Sequence, residues 1–448
     1  MIPRPIQELY FFLVNYLWQI VDGLVIVAVF PLLAGYVVLL ERKVMADMQA
    51  RLGPMRVGPH GLLQPLADAV KLMIKEDIIP ESADRAIFWL APVLSVFAGM
   101  LSFAAIAVGP GFLIADMNVG LLFIFAVSSM GIFGIVLGGW ASNSHYSLMG
   151  ALRSAAQLVS YEVAVGMAMV SGVLLAGSLS MKEIVAYQAH SGLWLVFIAP
   201  VGFVIYMIGS VAETNRAPFD LPEAESELVA GYMTEYSGFR WALYFLAEYS
   251  NMVVVGSVAT TLFLGGWLRP FASGYLFGVR VRALDLLDFV PALVMLGVTG
   301  YCFYRIPKQT GWDQKFIMAI FAGICFLITL PLAAALAPVP ALAGMKAGVH
   351  GAFWFIAKVM GYVYIFLWIR FTFPRYRFDQ LMQLGWHYLI PLSIVNVMGV
   401  ATAMVLHRER GWNPVVCIVA TLVATLVAAL WLVRAGEKRE QAALRSAA

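Results

Sequence analysis

The chain has 448 residues, of which 62% are apolar and only 12% are charged, with a net charge of +3 that says little about partners. Soluble proteins carry about 25% charged residues, so a soluble enzyme, a nucleic-acid-binding protein and a disordered scaffold are excluded. Together with a mean hydropathy of +0.85, the composition indicates a polytopic helical membrane protein.

Eleven apolar runs have the length of a spanning helix, which needs about 20 residues. They centre on residues 22–40, 87–108, 119–140, 157–178, 193–211, 241–267, 284–304, 316–337, 349–369, 387–406 and 414–433. The N-terminal segment has Glu8 within its apolar part and no small-residue cleavage site. We therefore expect this segment to be retained rather than removed as a signal peptide.

The loops between these runs predict the orientation. Twenty of the 29 Lys and Arg residues fall in 41–85, 141–156, 212–240, 305–315, 370–386 and the tail from 434, against eight on the opposite side. Because basic loops remain in the cytoplasm, we expect the N-terminus outside and the C-terminus in the cytoplasm. We call the side that holds these loops the basic side.

The first basic-side loop contains an amphipathic segment, GLLQPLADAVKLMIKE. Its apolar side chains share one helix face and its charged side chains lie on another, with Leu66, Val70 and Met73 opposite Asp68 and Lys71. This pattern predicts a helix in the membrane interface plane. A simple amphipathic linker helix fits it equally well.

The third basic-side loop is strongly acidic. Only Arg216 opposes six acids between positions 213 and 235, which are Glu213, Asp220, Glu223, Glu225, Glu227 and Glu235. Clustered carboxylates raise each other's pKa and titrate as a group, which suits them to hold protons, pass them on or bind a cation. Asp220 to Glu223 also fits a capping box with a proline in the first turn, so Asp220 has a structural alternative.

Three ionisable residues lie within apolar runs: Glu162, Glu248 and Lys358. A charge at the middle of a bilayer costs about 2.5–3.5 kcal/mol on insertion scales, so such residues usually face a bundle interior or an aqueous cavity. For Glu162 and Glu248, which lie near the basic side, the alternative is that the side chain reaches the interface.

Other chemistry has little support in the sequence. Cys302, Cys325 and Cys417 are far apart in apolar runs, without the spacing of a disulfide framework or an iron–sulfur site. The sequence contains no GxGxxG or GxxxxGK[ST] motif for a nucleotide. We therefore expect no metal site and no redox centre on this chain.

Four blocks resemble the family of H subunits of proton-pumping NADH:quinone oxidoreductase, respiratory complex I. They are ERKVMADMQARLGPMRVGPHGLLQPLADAVKLMIKE (Glu41–Glu76), GALRSAAQLVSYE (Gly150–Glu162), AETNRAPFDLPEAESELVAGYMTEYSG (Ala212–Gly238) and WIRFTFPRYRFDQLMQLGW (Trp368–Trp386). The third block is highly specific. The resemblance covers most of residues 20–270 and 350–406.

The resemblance implies a function that the residues alone do not reach. In this family the subunit joins the membrane arm to the hydrophilic arm and contributes to the chamber where quinone, the substrate, is reduced. FMN and iron–sulfur clusters belong to partner subunits, and quinone reduction drives protons through buried charges towards antiporter-like membrane subunits. The implied location is the bacterial inner membrane.

The resemblance also assigns roles to individual positions of this chain. Glu162, Glu213, Glu223, Glu225, Glu227 and Glu248 would form the proton path. Arg42, Lys43, Gln49, Arg51, Asp68, Arg216 and Asp220 would line or shape the quinone chamber. Arg370, Arg375 and Arg377 would dock the peripheral arm.

The chain departs from the family in its number of spans, because members typically have eight. We expect an all-α fold of about 11 transmembrane helices, with an eight-helix core, an inserted hairpin and one added C-terminal helix. The predicted divisions are 1–267 for the first six spans, 268–345 for the hairpin, 346–406 for the last two core spans and 407–448 for the added helix and basic tail.

The sequence alone leaves two other functions open. One is the homologous membrane subunit of an energy-converting hydrogenase-type complex, in which no quinone is reduced. The other is a stand-alone cation/proton antiporter that uses Glu162, Glu248 and Lys358. The long basic-side loops favour a docked subunit over the antiporter.

Overall fold

The computed structural model describes residues 4–110, 114–220, 230–270, 275–276, 279–280, 286–309, 311–334 and 343–447. These residues are mostly helical, and a short antiparallel ribbon pairs Tyr275–Leu276 (β1) with Val279–Arg280 (β2). Glu223, Glu225 and Glu227 of the predicted proton path lie outside the described residues.

In chain order, the helices are α1 (Arg4–Met48), α2 (Gln64–Ile74), α3 (Arg85–Phe103), α4 (Gly120–Ala141), α5 (His145–Ala176), α6 (Met181–Ser191), α7 (Leu195–Ile198), α8 (Pro200–Glu213), α9 (Gly238–Phe263), α10 (Val290–Arg305), α11 (Trp312–Ala334), α12 (Ala343–Thr372), α13 (Phe378–Gln383), α14 (Ile390–Arg410) and α15 (Pro414–Ala447). A turn of 3-10 helix, Pro59–Gly61, precedes α2.

Ten helical stretches among the described residues are long and apolar enough to cross a membrane. They coincide with ten of the eleven apolar runs, and α2 coincides with the predicted amphipathic helix of the first loop. The apolar face of α2 is exposed, with Leu66, Met73 and Ile74 each more than half exposed. The prediction of an all-α polytopic membrane protein is confirmed.

The run at 193–211 differs from its prediction as a full span. The helix breaks at Ala199, whose φ of −126° and ψ of 61° are not helical, and α8 then begins at Pro200. Proline has no N–H to donate and disfavours helical dihedrals at the residue before it. The run is therefore divided into the four residues of α7 and the 14 residues of α8.

Local sequence explains where several spans begin and end. The Asp84 side chain accepts hydrogen bonds from the backbone N–H groups of Ala86 and Ile87, at 3.1 and 3.3 Å, and so caps α3. Gly177 ends α5 with a φ of 72°, a left-handed conformation that glycine adopts without steric cost. These signals set the boundaries of spans that the apolar runs locate only roughly.

The core lies where α5, α8, α9 and α12 meet. Tyr161 and Ala168 of α5, Ile205 of α8, Val258 of α9 and Val363 of α12 belong to one buried apolar cluster. Of the most apolar 18-residue stretch of α9, 72% is buried, a larger share than in any other span among the described residues. α9 therefore runs through the centre of the bundle, and polar residues on it face protein rather than lipid.

The basic-side loops meet at one end of the bundle. The ion pair of Arg370 with Glu41 joins the last of these loops to the first, and Arg240 pairs with Asp77 at 2.5 Å. The backbone N–H of Asp84 donates to the carbonyl of Ala141 at 3.1 Å. The predicted grouping of these loops on one side agrees with these contacts, while the assignment of that side to the cytoplasm stays a prediction.

The predicted hairpin consists of α10 and α11. Cys302, Met318 and Ala322 form a small buried cluster between the two helices. Buried His350 on α12 lies 3.0 Å through Nε2 from the carbonyl oxygen of Leu332, at the end of α11. The hairpin therefore packs on itself and is attached to α12.

The basic-side end of the hairpin also lies near the first loop. Burial lowers the pKa of His60, and the positive charges of Arg305 and Lys43 lower it further. His60 belongs to the turn Pro59–Gly61.

The added C-terminal helix α15 packs along α14 on another part of the bundle. The division of the chain into four parts stays a prediction.

Candidate functional site

A cavity lies within the membrane-spanning bundle. Residues of α3, α4, α5 and α9 line it, together with the last residue of α8. Three carboxylic acids face this space, namely Glu162 from α5, Glu213 from α8 and Glu248 from α9. Acids that are distant in sequence are thus brought together, and we call this space the carboxylate cavity.

Two adjacent serines on α4 hold two of these acids. Ser129 Oγ donates a hydrogen bond to Glu162 Oε1, and the Ser128 side chain is hydrogen-bonded to Glu213. The same Ser129 Oγ lies 2.9 Å from the carbonyl oxygen of Phe125, one turn earlier. The serines therefore fix both carboxyl groups against one helix face.

Glu213 and Glu162 are close enough for their charges to repel each other. Within a membrane-spanning bundle this repulsion is only weakly screened. Two neighbouring carboxylates in such surroundings do not both ionise freely, and they take up and release protons as a coupled pair. The arrangement can hold a proton on either group and pass it to the other.

Glu248 is bound differently, in a buried ion pair. Its Oε2 lies 2.7 Å from Nη2 of Arg216, and its Oε1 accepts a hydrogen bond from the Tyr232 hydroxyl at 3.0 Å. Glu248 is 7% exposed and Arg216 is 2% exposed. Arg216 also lies 4.4 Å above the ring of Tyr249. Both side chains are buried within the protein, so Glu248 does not extend into solvent.

A second, smaller cavity continues from the first. Both cavities share Ser128 and Glu213, while the second is otherwise lined by apolar side chains such as Leu121 and Val258 and by Tyr206. Leu121 and Val258 lie towards the side opposite the basic loops, since α4 begins there and α9 ends there. Glu213 is therefore located at the junction of the two spaces.

The segment after Glu213 connects the cavity to the last basic-side loop. Arg375 Nη2 lies 3.4 Å from Asp220 Oδ2, and the Tyr376 N–H donates to the carbonyl of Pro218 at 3.1 Å. The rings of Phe219 and Tyr376 stack with their centroids 5.6 Å apart. A displacement of the last loop would therefore act on the segment that carries Arg216.

Five of the seven residues predicted for the quinone chamber lie in the first loop, away from the cavity lining, whereas Arg216 and Asp220 lie in the segment after Glu213. Arg42 pairs with Asp68 at 2.6 Å, and the Gln64 amide also donates to Asp68 at 3.0 Å. Arg51 Nε donates to Gln49 Oε1 at 2.7 Å on the surface. Lys43 is half-buried, and a Cβ atom added at Gly53 would lie 3.4 Å from its Cα and Cγ atoms.

The three predicted docking arginines differ in their surroundings. Arg370 pairs with buried Glu41 within the chain. Arg375 and Arg377 are exposed, and Arg377 precedes α13, where its backbone N–H donates to Gln380 Oε1 at 3.2 Å. Arg370 and Arg375 thus form ion pairs within this chain, although Arg375 is exposed, and Arg377 presents its charge at the surface.

Lys358 on α12 is not among the cavity-lining residues. Its Nζ donates to the carbonyl oxygens of Leu264, Gly266 and Leu268 at 2.7, 2.9 and 2.6 Å. It also lies 4.4 Å from the centre of the Trp194 ring. Carbonyls just beyond the end of a helix lack internal donors and carry partial negative charge, so Lys358 caps the end of α9.

We expect Lys358→Met to destabilise the assembled protein by about 1–3 kcal/mol, because carbonyls in a buried site lose their donor. Turnover per assembled complex should be unchanged, since Lys358 does not line the carboxylate cavity. Thermal unfolding of the purified complex and its quinone reductase rate measure the two effects. Lys182→Met, which removes an exposed ion pair with Asp116, is the matched control. A fall in turnover at normal stability would give Lys358 a role in transport.

Several cavity residues were not predicted from the sequence, including Ser128, Ser129 and Tyr232. A pair of serines inside an otherwise apolar span is a signal that could have identified the first two. Tyr232 lies in the acidic block, where the prediction named the carboxylates and did not include the tyrosine. Its position opposite Glu248 depends on the loop between α8 and α9.

Among the described residues, no group of three or more His, Cys, Asp or Glu side chains could hold a metal ion.

A family model described as NADH dehydrogenase matches residues 21–401.

Three relatives resemble the chain over most of its length. The NADH-quinone oxidoreductase H subunit 2 of Solibacter usitatus is 55% identical over 84% of this chain and 93% of its own. The NADH-quinone oxidoreductase H subunit 1 of Koribacter versatilis is 48% identical over 88% and 93%. The NADH-quinone oxidoreductase H subunit of Paramagnetospirillum magneticum is 41% identical over 87% and 93%.

Proposed function

Because the chain belongs to the NADH dehydrogenase family, among the H subunits of NADH-quinone oxidoreductase, we propose that it helps to form a quinone chamber and couples quinone reduction to proton translocation. The proposal includes FMN and iron–sulfur clusters on partner subunits, quinone as the substrate and antiporter-like membrane subunits as neighbours. It also includes the bacterial inner membrane, with the basic side in the cytoplasm.

The carboxylate cavity is the observation that carries this proposal. Glu162, Glu213 and Glu248 face one space inside a membrane bundle. Ionisable groups at such depth are costly, and in membrane proteins they commonly mark proton or ion paths. The second cavity extends the space beyond Glu213 towards the opposite side. A proton held by the coupled pair of Glu162 and Glu213 therefore has polar groups on one side and a continuing space on the other.

The chamber would lie at the basic side, where the first loop carries Arg42 and Asp68. A quinone that accepts two electrons becomes a strong base and takes up two protons, which changes the local charge. Where two arrangements of the loops bind the oxidised and the reduced quinone with different affinities, quinone reduction shifts the equilibrium between them. The segment from Thr214 to Asp220 moves with the last loop because Arg375 and Tyr376 bind it. This segment contains Arg216, which forms the ion pair with Glu248.

Glu223, Glu225 and Glu227 would extend the proton path from this segment towards the chamber. Gln49, Arg51 and Lys43 would line the approach to it. Arg375 and Arg377, which are exposed, supply the charge for docking an acidic surface of the peripheral arm, and Arg370 holds the docking loop against Glu41.

The test is the activity of the tagged chain after purification in mild detergent. We expect it to purify within a large assembly that contains flavin and iron–sulfur subunits and that reduces quinone with NADH. An assembly that forms but does not oxidise NADH would favour the hydrogenase-type alternative. A chain that purifies alone and moves cations in liposomes would contradict the proposal and favour the antiporter.

A further inference from the structure

A row of buried hydroxyl groups lies between the carboxylate cavity and the basic-side surface. The Tyr236 hydroxyl donates to the carbonyl oxygen of Gly138 at 3.4 Å, and it lies close to the hydroxyls of Tyr244 and Ser142. Tyr236 is 5% exposed, Tyr244 1% and Ser142 2%. We call these three side chains the hydroxyl row.

The inner end of the hydroxyl row opens into the cavity. Tyr244 lines the carboxylate cavity, as does Tyr232. The Tyr244 and Tyr232 rings meet edge to face with centroids 5.2 Å apart, and the Tyr232 hydroxyl donates to Glu248. The row therefore reaches the space that holds the three carboxylic acids.

The outer end lies beneath two surface loops. Ser142 follows the last residue of α4, and the next residue, Asn143, is exposed. The Asn143 amide donates to the carbonyl of exposed Ser82 at 3.3 Å. The outermost hydroxyl of the row therefore belongs to a residue that is adjacent in sequence to an exposed one.

Gly138 makes the room that the row needs. A Cβ atom at this position would lie 2.1 Å from the Tyr244 hydroxyl and 3.3 Å from the Tyr236 hydroxyl. The first distance is far below any van der Waals contact. Only glycine therefore lets both hydroxyls lie against α4 at this turn.

The hydroxyls are not needed to satisfy the backbone of α4. Tyr244 donates to the carbonyl of Gly134 at 3.0 Å and Ser142 Oγ to that of Gly138 at 2.7 Å. The Gly138 carbonyl already accepts the N–H of Ser142 at 3.3 Å. Each of the three hydroxyls therefore donates to a backbone carbonyl and has another hydroxyl of the row close by, to which its proton can be redirected during stepwise transfer.

We propose that the hydroxyl row is a proton inlet that refills the carboxylate cavity from the basic side, by a route separate from the quinone chamber. The inference rests on the proposed function, because it supplies protons to the same carboxylates. Each hydroxyl passes its own proton inward and receives one from the outer neighbour, and water at Asn143 supplies the last. After one complete transfer, each hydroxyl again carries one proton.

Arg240 makes the intermediate stage of this transfer easier. Its guanidinium is 2% exposed, pairs with Asp77 and lies 5.1 Å over the ring of Phe88, which itself stacks on Tyr236 at 4.0 Å. When Tyr236 has given its proton inward and is not yet refilled, it carries negative charge. A fixed positive charge at this place favours that state.

The test uses the whole complex in proteoliposomes with Tyr236→Phe, Tyr244→Phe and Ser142→Ala. We expect NADH-driven proton transport to slow by about tenfold, less than the roughly hundredfold typical of losing a proton-transferring group, because water partly replaces a hydroxyl. The solvent deuterium isotope effect should rise. Gly138→Ala should act like Tyr244→Phe.

The control is Tyr161→Phe, which removes another buried hydroxyl that donates to a backbone carbonyl, that of Leu381 at 3.0 Å. Rates are normalised to assembled complex, and NADH oxidation by a water-soluble acceptor should be unchanged in every variant. If the row variants match Tyr161→Phe in rate and isotope effect while Glu213→Gln is inactive, the inlet is wrong and the proposed function holds. If Glu213→Gln pumps normally, the proposed function itself fails.

Discussion

Glu213→Gln is expected to lower NADH-driven quinone reduction and proton transport by about a hundredfold, the lower end of the cost of losing a proton-transferring group. Glu213 is the acid that lines both cavities. Glutamine keeps the size of the side chain and its hydrogen bond to Ser128, but it cannot bind and release a proton. The coupled pair with Glu162 is then reduced to a single acid with no partner for transfer.

The measurement is the rate of quinone reduction and of acidification in proteoliposomes, per assembled complex. Glu183→Gln removes an exposed carboxylate of α6 and serves as the matched control for the change in charge. Assembly should be normal in both variants. A Glu213→Gln complex that does not assemble would make this residue structural, and one with full activity would contradict its place in the path.

Glu248→Ala is expected to destabilise the protein by about 3–5 kcal/mol, because breaking a buried ion pair leaves an uncompensated charge. The remaining charge would be that of Arg216, which is 2% exposed and faces the rings of Phe245 and Tyr249. The Tyr232 hydroxyl also loses its acceptor. The amount of assembled complex and its thermal unfolding report the loss.

A double-mutant cycle identifies the ion pair as the cause. Replacing both partners, with Arg216→Met and Glu248→Ala together, should be less destabilising than the sum of the single changes, since neither charge is left alone. Additive effects would mean that the two side chains act independently. Glu248→Gln keeps the shape of the side chain but removes its charge, so it should also destabilise the protein through the uncompensated charge of Arg216.

The spans and the grouping of the loops could be predicted because they depend on composition along the chain. Long apolar stretches mark helices wherever they occur, and basic residues concentrate in loops of one side. The break at Pro200 was also readable in principle, since proline restricts the residue before it. The prediction of a full span followed the apolar composition of residues 193–211 and did not take this proline into account.

The site could be predicted only in part, because its pairings join distant residues. Glu162 and Glu248 were identified since an acid inside an apolar run is unusual. That Ser129 would bind Glu162, or that Arg216 would bind Glu248, depends on how α4, α5 and α9 pack. Lys358 was ambiguous in the sequence, since a lysine in a span can mark transport, and its contacts with carbonyls at the end of α9 depend on how the helices pack.

The pairing of Arg370 with Glu41 has a consequence for biosynthesis. These residues are 329 positions apart, so the first loop leaves the ribosome long before the arginine that holds it. Glu41 therefore has no arginine partner while the hairpin and most other spans enter the membrane, and the ion pair forms only once α12 is inserted. A nascent chain that stops before Arg370 carries the three cavity acids without the contact that joins the first and last loops.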